Sequence, residues 1–170
     1  IKLTYPSDFP SRYAVGCGFD THILTTGRAL ILGGVNIPHE KGLLGHSDAD
    51  VLVHAIMDAL LSCVGERDIG VHFPDTDERY RGISSMTLLE KVKYILDSRS
   101  ATVSNVSAVI MAQRPKLKDY IPTMCANISD ALCIPVSSVN IAATTTEGIG
   151  LVGREEGISV HATAAVNVRD

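Results

Sequence analysis

The stretch SDADVLVHAIMDALLSCVG, residues 47–65, carries the clearest secondary-structure signal in the chain. Its apolar positions Leu52, Ala55, Ile56, Ala59, Leu60 and Cys63 recur at three- and four-residue spacing, the period of a helix that buries one stripe. Ser47 is a suitable N-cap, Asp50 three residues on completes a start like a capping box, and Gly65 supplies the stop. At about 100° per residue, Ser47, Asp50, His54 and Asp58 fall together on the opposite side. The expected helix therefore has one core face and one face of ionisable groups.

Outward from this helix, residues 13–19 alternate as a short strand ending in Asp20-Thr21-His22, and residues 29–37 read as a hairpin turning at Gly33 and Gly34. A second helix is predicted over 85–99, with Leu88, Leu89, Val92, Ile95 and Leu96 at core spacing. A third is predicted over 116–133, where Pro122 either starts the regular part or kinks it. Strands are expected over 104–112, 139–145 and 158–168. Residues 1–12, with Pro6 and Pro10, read as an irregular N-terminal arm, and residues 13–170 as a single catalytic domain without repeats or a long linker. Three helices among some six strands predict an α/β or α+β fold, a mixed β-sheet with three helices packed on one face.

The chain has 170 residues, enough to bury a real core in one domain. Apolar residues make up 45% while aromatics make up 5% with no Trp, so the core is to be built from Val, Ile, Leu and Ala. The net charge of −4 and the absence of any Lys/Arg run longer than two residues argue against nucleic acid as a partner. Apolar runs fall short of the roughly 18 residues of a membrane-spanning helix, so a soluble protein is expected. Cys17, Cys63, Cys125 and Cys133 form no C-x-x-C pair and read as buried free thiols, which suits a reducing compartment. The chain starts at Ile1 rather than Met, so a removed or omitted N-terminal segment is expected.

Several polar groups could carry chemistry. In extended chain, residues i and i+2 point the same way, so Asp20 and His22 can converge on one ion, with His54 as a third ligand. Two imidazoles and a carboxylate leave a tetrahedral Zn²⁺ one open position, the arrangement of a catalytic zinc. His46 and Ser47 lie at the start of the helix, where N–H groups favour anions, though Ser47 and Asp50 cap the helix in either case. Asp68-Ile69-Gly70 and Phe73-Pro74-Asp75-Thr76-Asp77 form an acidic loop, whose Pro-Asp-Thr-Asp is also ordinary turn chemistry. Thr144, Thr145, Thr146 and Glu147 place hydroxyls and a carboxylate at a strand end, suited to phosphate and Mg²⁺. In Gln113-Arg114-Pro115-Lys116, Arg114 and Lys116 place cations beyond another, suited to a polyphosphate.

Taken in order, the segments Gly18-Phe19-Asp20-Thr21-His22, Gly33-Gly34-Val35-Asn36-Ile37-Pro38, Gly45-His46-Ser47-Asp48-Ala49-Asp50, Asp68-Ile69-Gly70, Phe73-Pro74-Asp75-Thr76-Asp77, Gln113-Arg114-Pro115-Lys116 and Thr144-Thr145-Thr146-Glu147 resemble the 2-C-methyl-D-erythritol 2,4-cyclodiphosphate synthase family of the non-mevalonate isoprenoid pathway. The resemblance runs over about residues 13–168. It implies a phosphorus–oxygen lyase that converts 4-diphosphocytidyl-2-C-methyl-D-erythritol 2-phosphate to the cyclic diphosphate with release of CMP. It also implies a homotrimer with active sites between subunits. Asp20, His22 and His54 map onto the family's zinc ligands, and Glu147 onto the ligand of a second ion, Mg²⁺ or Mn²⁺. His46 maps onto a position that binds the methylerythritol phosphate; for the reaction, His46 is expected to orient the attacking group and Thr145 to stabilise the transition state. Ser47, Asp68 and Gly70 map onto the methylerythritol phosphate region, and Phe73, Asp75 and Asp77 are further expected substrate-binding residues. Residues 112–118 and 143–145, among them Ala112, Lys116, Leu117, Ala143, Thr144 and Thr145, map onto the cytidine pocket, supplied by a neighbouring subunit.

Two departures stand out. Cys17 occupies a position where the family often has His, and Leu151 replaces a commoner Phe beside Arg154 and Glu156. Arg154 maps onto a central trimer cavity that in some members holds an isoprenoid diphosphate. A metal-dependent phosphohydrolase and a non-catalytic trimeric isoprenoid-binding module remain as rival readings. The expected compartment is the cytoplasm for a bacterial source, and a plastid or apicoplast for a eukaryotic one.

Overall fold

The computed structural model describes residues 11–169. A long strand β1 (Ser11–Thr26) opens it, followed by the hairpin strands β2 (Leu30–Leu32) and β3 (Val35–Ile37) and by β4 (Lys41–Leu43). Helix α1 (Val51–Cys63), the single turn α2 (Ile69–His72) and helix α3 (Ser85–Ser98) come next. Then follow β5 (Ala101–Met111), α4 (Ile121–Leu132), β6 (Val139–Thr144), the single turn α5 (Gly150–Gly153) and β7 (Gly157–Arg169). The main sheet has the order β4-β1-β7-β5-β6, antiparallel except for the parallel pair β5/β6, so it is mixed as expected. The expected arm of residues 1–12 falls mostly outside the described residues; Ser11 and Arg12 already belong to β1, pairing with Arg169 and Val168.

Helices α1, α3 and α4 cover one face of this sheet, and side-chain alternation explains why. Along β1 the even-numbered residues from Ala14 to Leu24 turn inward, while Tyr13, Val15, Cys17, Phe19, Thr21 and Ile23 stay exposed on the other side. Gly16 and Gly18 lie on the inner side, where a Cβ on either would fall 2.1 Å from a backbone carbonyl of α1. The bare backbone of β1 lets α1 lie directly on the strand.

The boundaries depart from expectation at three places. Helix α1 begins at Val51 with Asp50 as its cap, not with Ser47, because Ala49 takes a left-handed conformation (φ 60°) that no helix continues through. Asp50 Oδ1 accepts from Val53 N at 3.1 Å and its Oδ2 accepts from Gly34 N at 2.8 Å, tying the helix start to the β2/β3 turn. Strand β1 runs on past Asp20-Thr21-His22, because Leu24, Thr25 and Thr26 find partners in β4. The third helix starts at Ile121, not 116, since Tyr120 N and Ile121 N both close a turn onto Leu117 O. Pro122 sits in its first turn, where the missing N–H costs nothing.

Burial of α1 is also more complete than an amphipathic helix implies. Every residue from Val51 to Leu61 except Asp58 is buried, because β1 and β7 hold one side while α3 holds another. Among the thiols, Cys63 and Cys125 are buried as expected, but Cys17 and Cys133 are exposed. Cys133 closes α4 in a left-handed conformation and so leaves the buried stripe.

Candidate metal centre and its cavities

Asp20 and His22, two residues apart on the inner face of β1, meet His54 of α1. His22 Nε2 lies 2.8 Å from Asp20 Oδ2, and His54 Nδ1 lies 3.2 Å from that same oxygen and 3.3 Å from His22 Nε2. His22 Nδ1 is 2.9 Å from Leu44 O; a carbonyl only accepts, so Nδ1 carries the proton and Nε2 turns a bare lone pair to the centre. Asp20 Oδ1 accepts from Thr21 N at 2.8 Å, which fixes the carboxylate plane.

The donor set suits a metal ion. A tetrahedral ion with bonds of about 2.0–2.1 Å spaces its donors roughly 3.3–3.4 Å apart, and two of the three separations here lie within about 0.2 Å of that. These three residues can hold a metal ion between them. Without one, the charges lean on each other. Burial opposes charge on Asp20, yet the imidazoles of His22 and His54 beside it hold its carboxyl far below the usual carboxylate range. Burial likewise works against His22⁺, but Asp20 raises its pKa.

A cavity of about 540 Å³ opens over this cluster, lined by Asp20, His22, His54, His46, Ser47, Asp68, Gly70, Phe73 and Asp75 among others. His46 is held by its Nε2, which donates to Asp77 O at 3.3 Å, and Ser47 O accepts from Arg28 Nη2 at 3.0 Å. Asp68 caps α2 through Val71 N, presenting residues 68–70 to the cavity. Asp77 does not line it: its carboxylate is tied up by Arg79, which donates through Nε and Nη2. Its carbonyl, rather than its side chain, serves the site. Tyr80, not among the expected site residues, lines the cavity, and so does Asp58, expected on the ionisable face of the helix with His54. Asp58 sits one helical turn beyond His54, the spacing that puts both on one face, and its Oδ1 accepts from Ile69 N at 2.8 Å.

A second cavity of about 380 Å³ lies at the carboxyl ends of β5 and β6, lined by Ala112, Gln113, Lys116, Leu117, Ala143, Thr144 and Thr145 among others. Gln113 Oε1 is buried without a hydrogen-bond partner among the described residues. The two cavities share no lining residue. Thr145 lies in this second cavity with Ala143 and Thr144, the segment expected to form the cytidine pocket. Glu147 lines neither; its Oε1 accepts from Thr145 Oγ1 at 3.0 Å. Arg154 is also outside both and pairs with Glu156 at 2.9 Å.

The model of the YgbB family matches residues 13–167, a span that holds the metal cluster and both cavities. The chain belongs to the YgbB family. A relative from Desulfitobacterium hafniense (strain DSM 10664 / DCB-2), named 2-C-methyl-D-erythritol 2,4-cyclodiphosphate synthase, is 59% identical over 148 residues, 87% of this chain and 94% of the relative. The bifunctional IspDF from Campylobacter jejuni has a similar structure, with a TM-score of 0.90, 36% identity and all of this chain covered. This chain spans about half of that protein, 48%. The IspF from Plasmodium falciparum, solved as a CDP complex, matches with a TM-score of 0.81 and 28% identity over 93% of this chain and 97% of that one. YgbB membership thus agrees with the resemblance carried by the sequence motifs. No helix among the described residues is long and apolar enough to cross a membrane.

Proposed function

We propose that this chain is a 2-C-methyl-D-erythritol 2,4-cyclodiphosphate synthase that cyclises 4-diphosphocytidyl-2-C-methyl-D-erythritol 2-phosphate. The observation that carries the reading is the convergence of Asp20 Oδ2, His22 Nε2 and His54 Nδ1 at a cavity also lined by His46 and Ser47. In this reaction an oxygen of the 2-phosphate forms a bond to the β-phosphorus, the bond from that phosphorus to the bridging oxygen breaks, and CMP leaves with the bridging oxygen. No protein nucleophile is required.

The residues of the chain orient the two ends and balance their charge. Asp20, His22 and His54 hold Zn²⁺, which when bound supplies Lewis-acid polarisation of a phosphoryl oxygen. His46, anchored by Asp77 O, orients the attacking phosphate; Ser47 and residues 68–70 hold the methylerythritol phosphate end. The cavity of Ala112, Lys116, Leu117, Ala143 and Thr144 receives the cytidine. Thr145 stabilises the transition state and Glu147 holds Mg²⁺ or Mn²⁺. Fixing both ends of one substrate removes much of the entropic barrier, up to about 7–11 kcal/mol in the best cases.

The complete site combines the metal cavity of one copy with the cytidine cavity of the next in a homotrimer. Supporting this, the uncovered face of β1 carries Tyr13, Val15, Phe19 and Ile23, each more than half exposed, an apolar area that a second copy would bury. Arg154 and the exposed Leu151 border the interior of that trimer, where an isoprenoid diphosphate binds. The enzyme is cytoplasmic if bacterial, and plastid or apicoplast if eukaryotic.

Incubating the protein with the cytidyl substrate tests the reading. CMP and the cyclic diphosphate are expected only with a divalent ion, and release of inorganic phosphate instead would establish a hydrolase.

A further inference from the structure

Through its other ring nitrogen, His54 meets buried polar groups of which the proposed reaction uses only Ser47. Its Nε2 lies 3.0 Å from Ser85 Oγ and 3.2 Å from Ser47 Oγ. Ser85 is fully buried at the start of α3, and the cap of that helix is Ser84, whose hydroxyl accepts from Met86 N. The hydroxyl of Ser85 is therefore not needed to start the helix. It donates instead to Asp48 Oδ1 in a short bond of 2.5 Å, while Asp48 Oδ2 accepts from Ser85 N at 3.0 Å. The backbone reinforces this junction: Asp48 N donates to Ile83 O and Gly82 N donates to His46 O.

A hydroxyl has one proton, and Ser85 gives its own to Asp48. Only a lone pair remains for His54, so His54 Nε2 must be the donor. In the neutral ring Nδ1 is then bare, facing Asp20 Oδ2 and His22 Nε2, as a metal ligand requires. Ser47 alone would not settle this. Its oxygen accepts from Ala49 N at 3.1 Å, and its rotatable proton could equally be given to His54 Nε2, which would drive the ring proton to Nδ1 and close the metal position.

We infer that Asp48 and Ser85 are positioning residues that lock His54 in the metal-ready tautomer and leave the Ser47 hydroxyl proton free for a ligand oxygen in the cavity. This rests on the metal reading of Asp20, His22 and His54. It also makes the start of α3, some thirty residues further along the chain, part of the metal centre.

The test uses Zn²⁺ alone, with affinity read by competition against a chromophoric chelator. Ser85→Ala and Asp48→Asn should each weaken Zn²⁺ binding by roughly 10–100-fold, the usual cost of losing a ligand's supporting hydrogen bond. Ser129→Ala, which removes another buried serine hydroxyl, should leave it unchanged. In the unsubstituted chain loaded with Zn²⁺, long-range ¹H–¹⁵N spectra should place the His54 ring proton on Nε2. A proton on Nδ1, or a Ser85→Ala protein that binds Zn²⁺ as tightly as the unsubstituted one, overturns the inference. If Ser85→Ala does not fold, the ring-proton position decides alone. Failure of the unsubstituted chain to bind Zn²⁺ at all is a separate result, which overturns the metal reading and the inference with it.

Discussion

Replacing Gly18 with Ala should disable the metal centre without touching any ligand. The new Cβ would sit 2.1 Å from Ala55 O and 2.7 Å from Ala59 N, both backbone atoms of α1, and 3.0 Å from Asp58 Cβ. No rotamer relieves a backbone clash, so α1 must retreat by about 0.9 Å to restore the 3.0 Å that real Cβ contacts respect. Ala55 directly follows His54, so the same movement carries the imidazole away from Asp20 and His22. His54 Nδ1, now 3.3 Å from His22 Nε2, would stand about 4 Å away, well beyond the roughly ±0.2 Å that a metal site tolerates. Two effects on stability compete. Ala for Gly in a strand favours folding by about 0.5–1 kcal/mol, whereas overpacking costs about 1–3 kcal/mol, so net destabilisation is expected. Zinc affinity should fall by about 100-fold or more, in line with the cost of a displacement near 1 Å at a preorganised site. Chelator competition measures the affinity, circular dichroism verifies the fold, and Cys17→Ala, on the exposed side of β1, serves as the control. A folded Gly18→Ala protein with unchanged zinc affinity would refute the idea that the bare strand sets the position of His54.

Other outcomes follow from separate features. Asp50 is fully buried, and burial raises its pKa from 3.8 to about 6 against the pull of backbone N–H groups from Gly34, Val53 and Gly33. Between those values the folded state holds a proton that the unfolded state has lost, so stability falls as pH rises from about 4 through 6, by up to about 3 kcal/mol. Urea unfolding of the metal-free protein should show this slope relative to Asp50→Asn, and a pH-independent difference would contradict it. Removing the metal with a chelator should lower the melting temperature, since saturating zinc at about 100 times its Kd stabilises by about 2.7 kcal/mol. His22→Ala should abolish that shift; a shift retained in this variant would locate the ion elsewhere. Phe19, 60% exposed on the apolar face of β1, is expected to lie in the trimer contact. Light scattering should give about 55 kDa for the unsubstituted chain, three times 18.2 kDa, and a smaller species for Phe19→Asp; an unchanged mass would remove that face from the interface.

How much of this was legible beforehand depends on the range of the interactions involved. Periodicity and local chemistry by themselves determined the three long helices, the β2/β3 hairpin and the pairing of Asp20 with His22, because a strand's two-residue period fixes which side chains share a face. The motif order also named the family. Where Asp50 or Ser47 caps α1, and where β1 ends, depended on partners distant in sequence: the Gly34 amide and strand β4. The near-complete burial of α1 was illegible for the same reason, since its second covering surface is α3. Asp77 showed a carboxylate in the sequence but contributes a carbonyl, and backbone atoms carry no residue-specific signal. Asp20 and His22 were readable as a pair; that His54 joins them with Nδ1 rather than Nε2 was decided only by tertiary structure. Gly18 lets the helix come close enough, and Ser85, reached through Asp48, leaves only one ring nitrogen bare to face the ion.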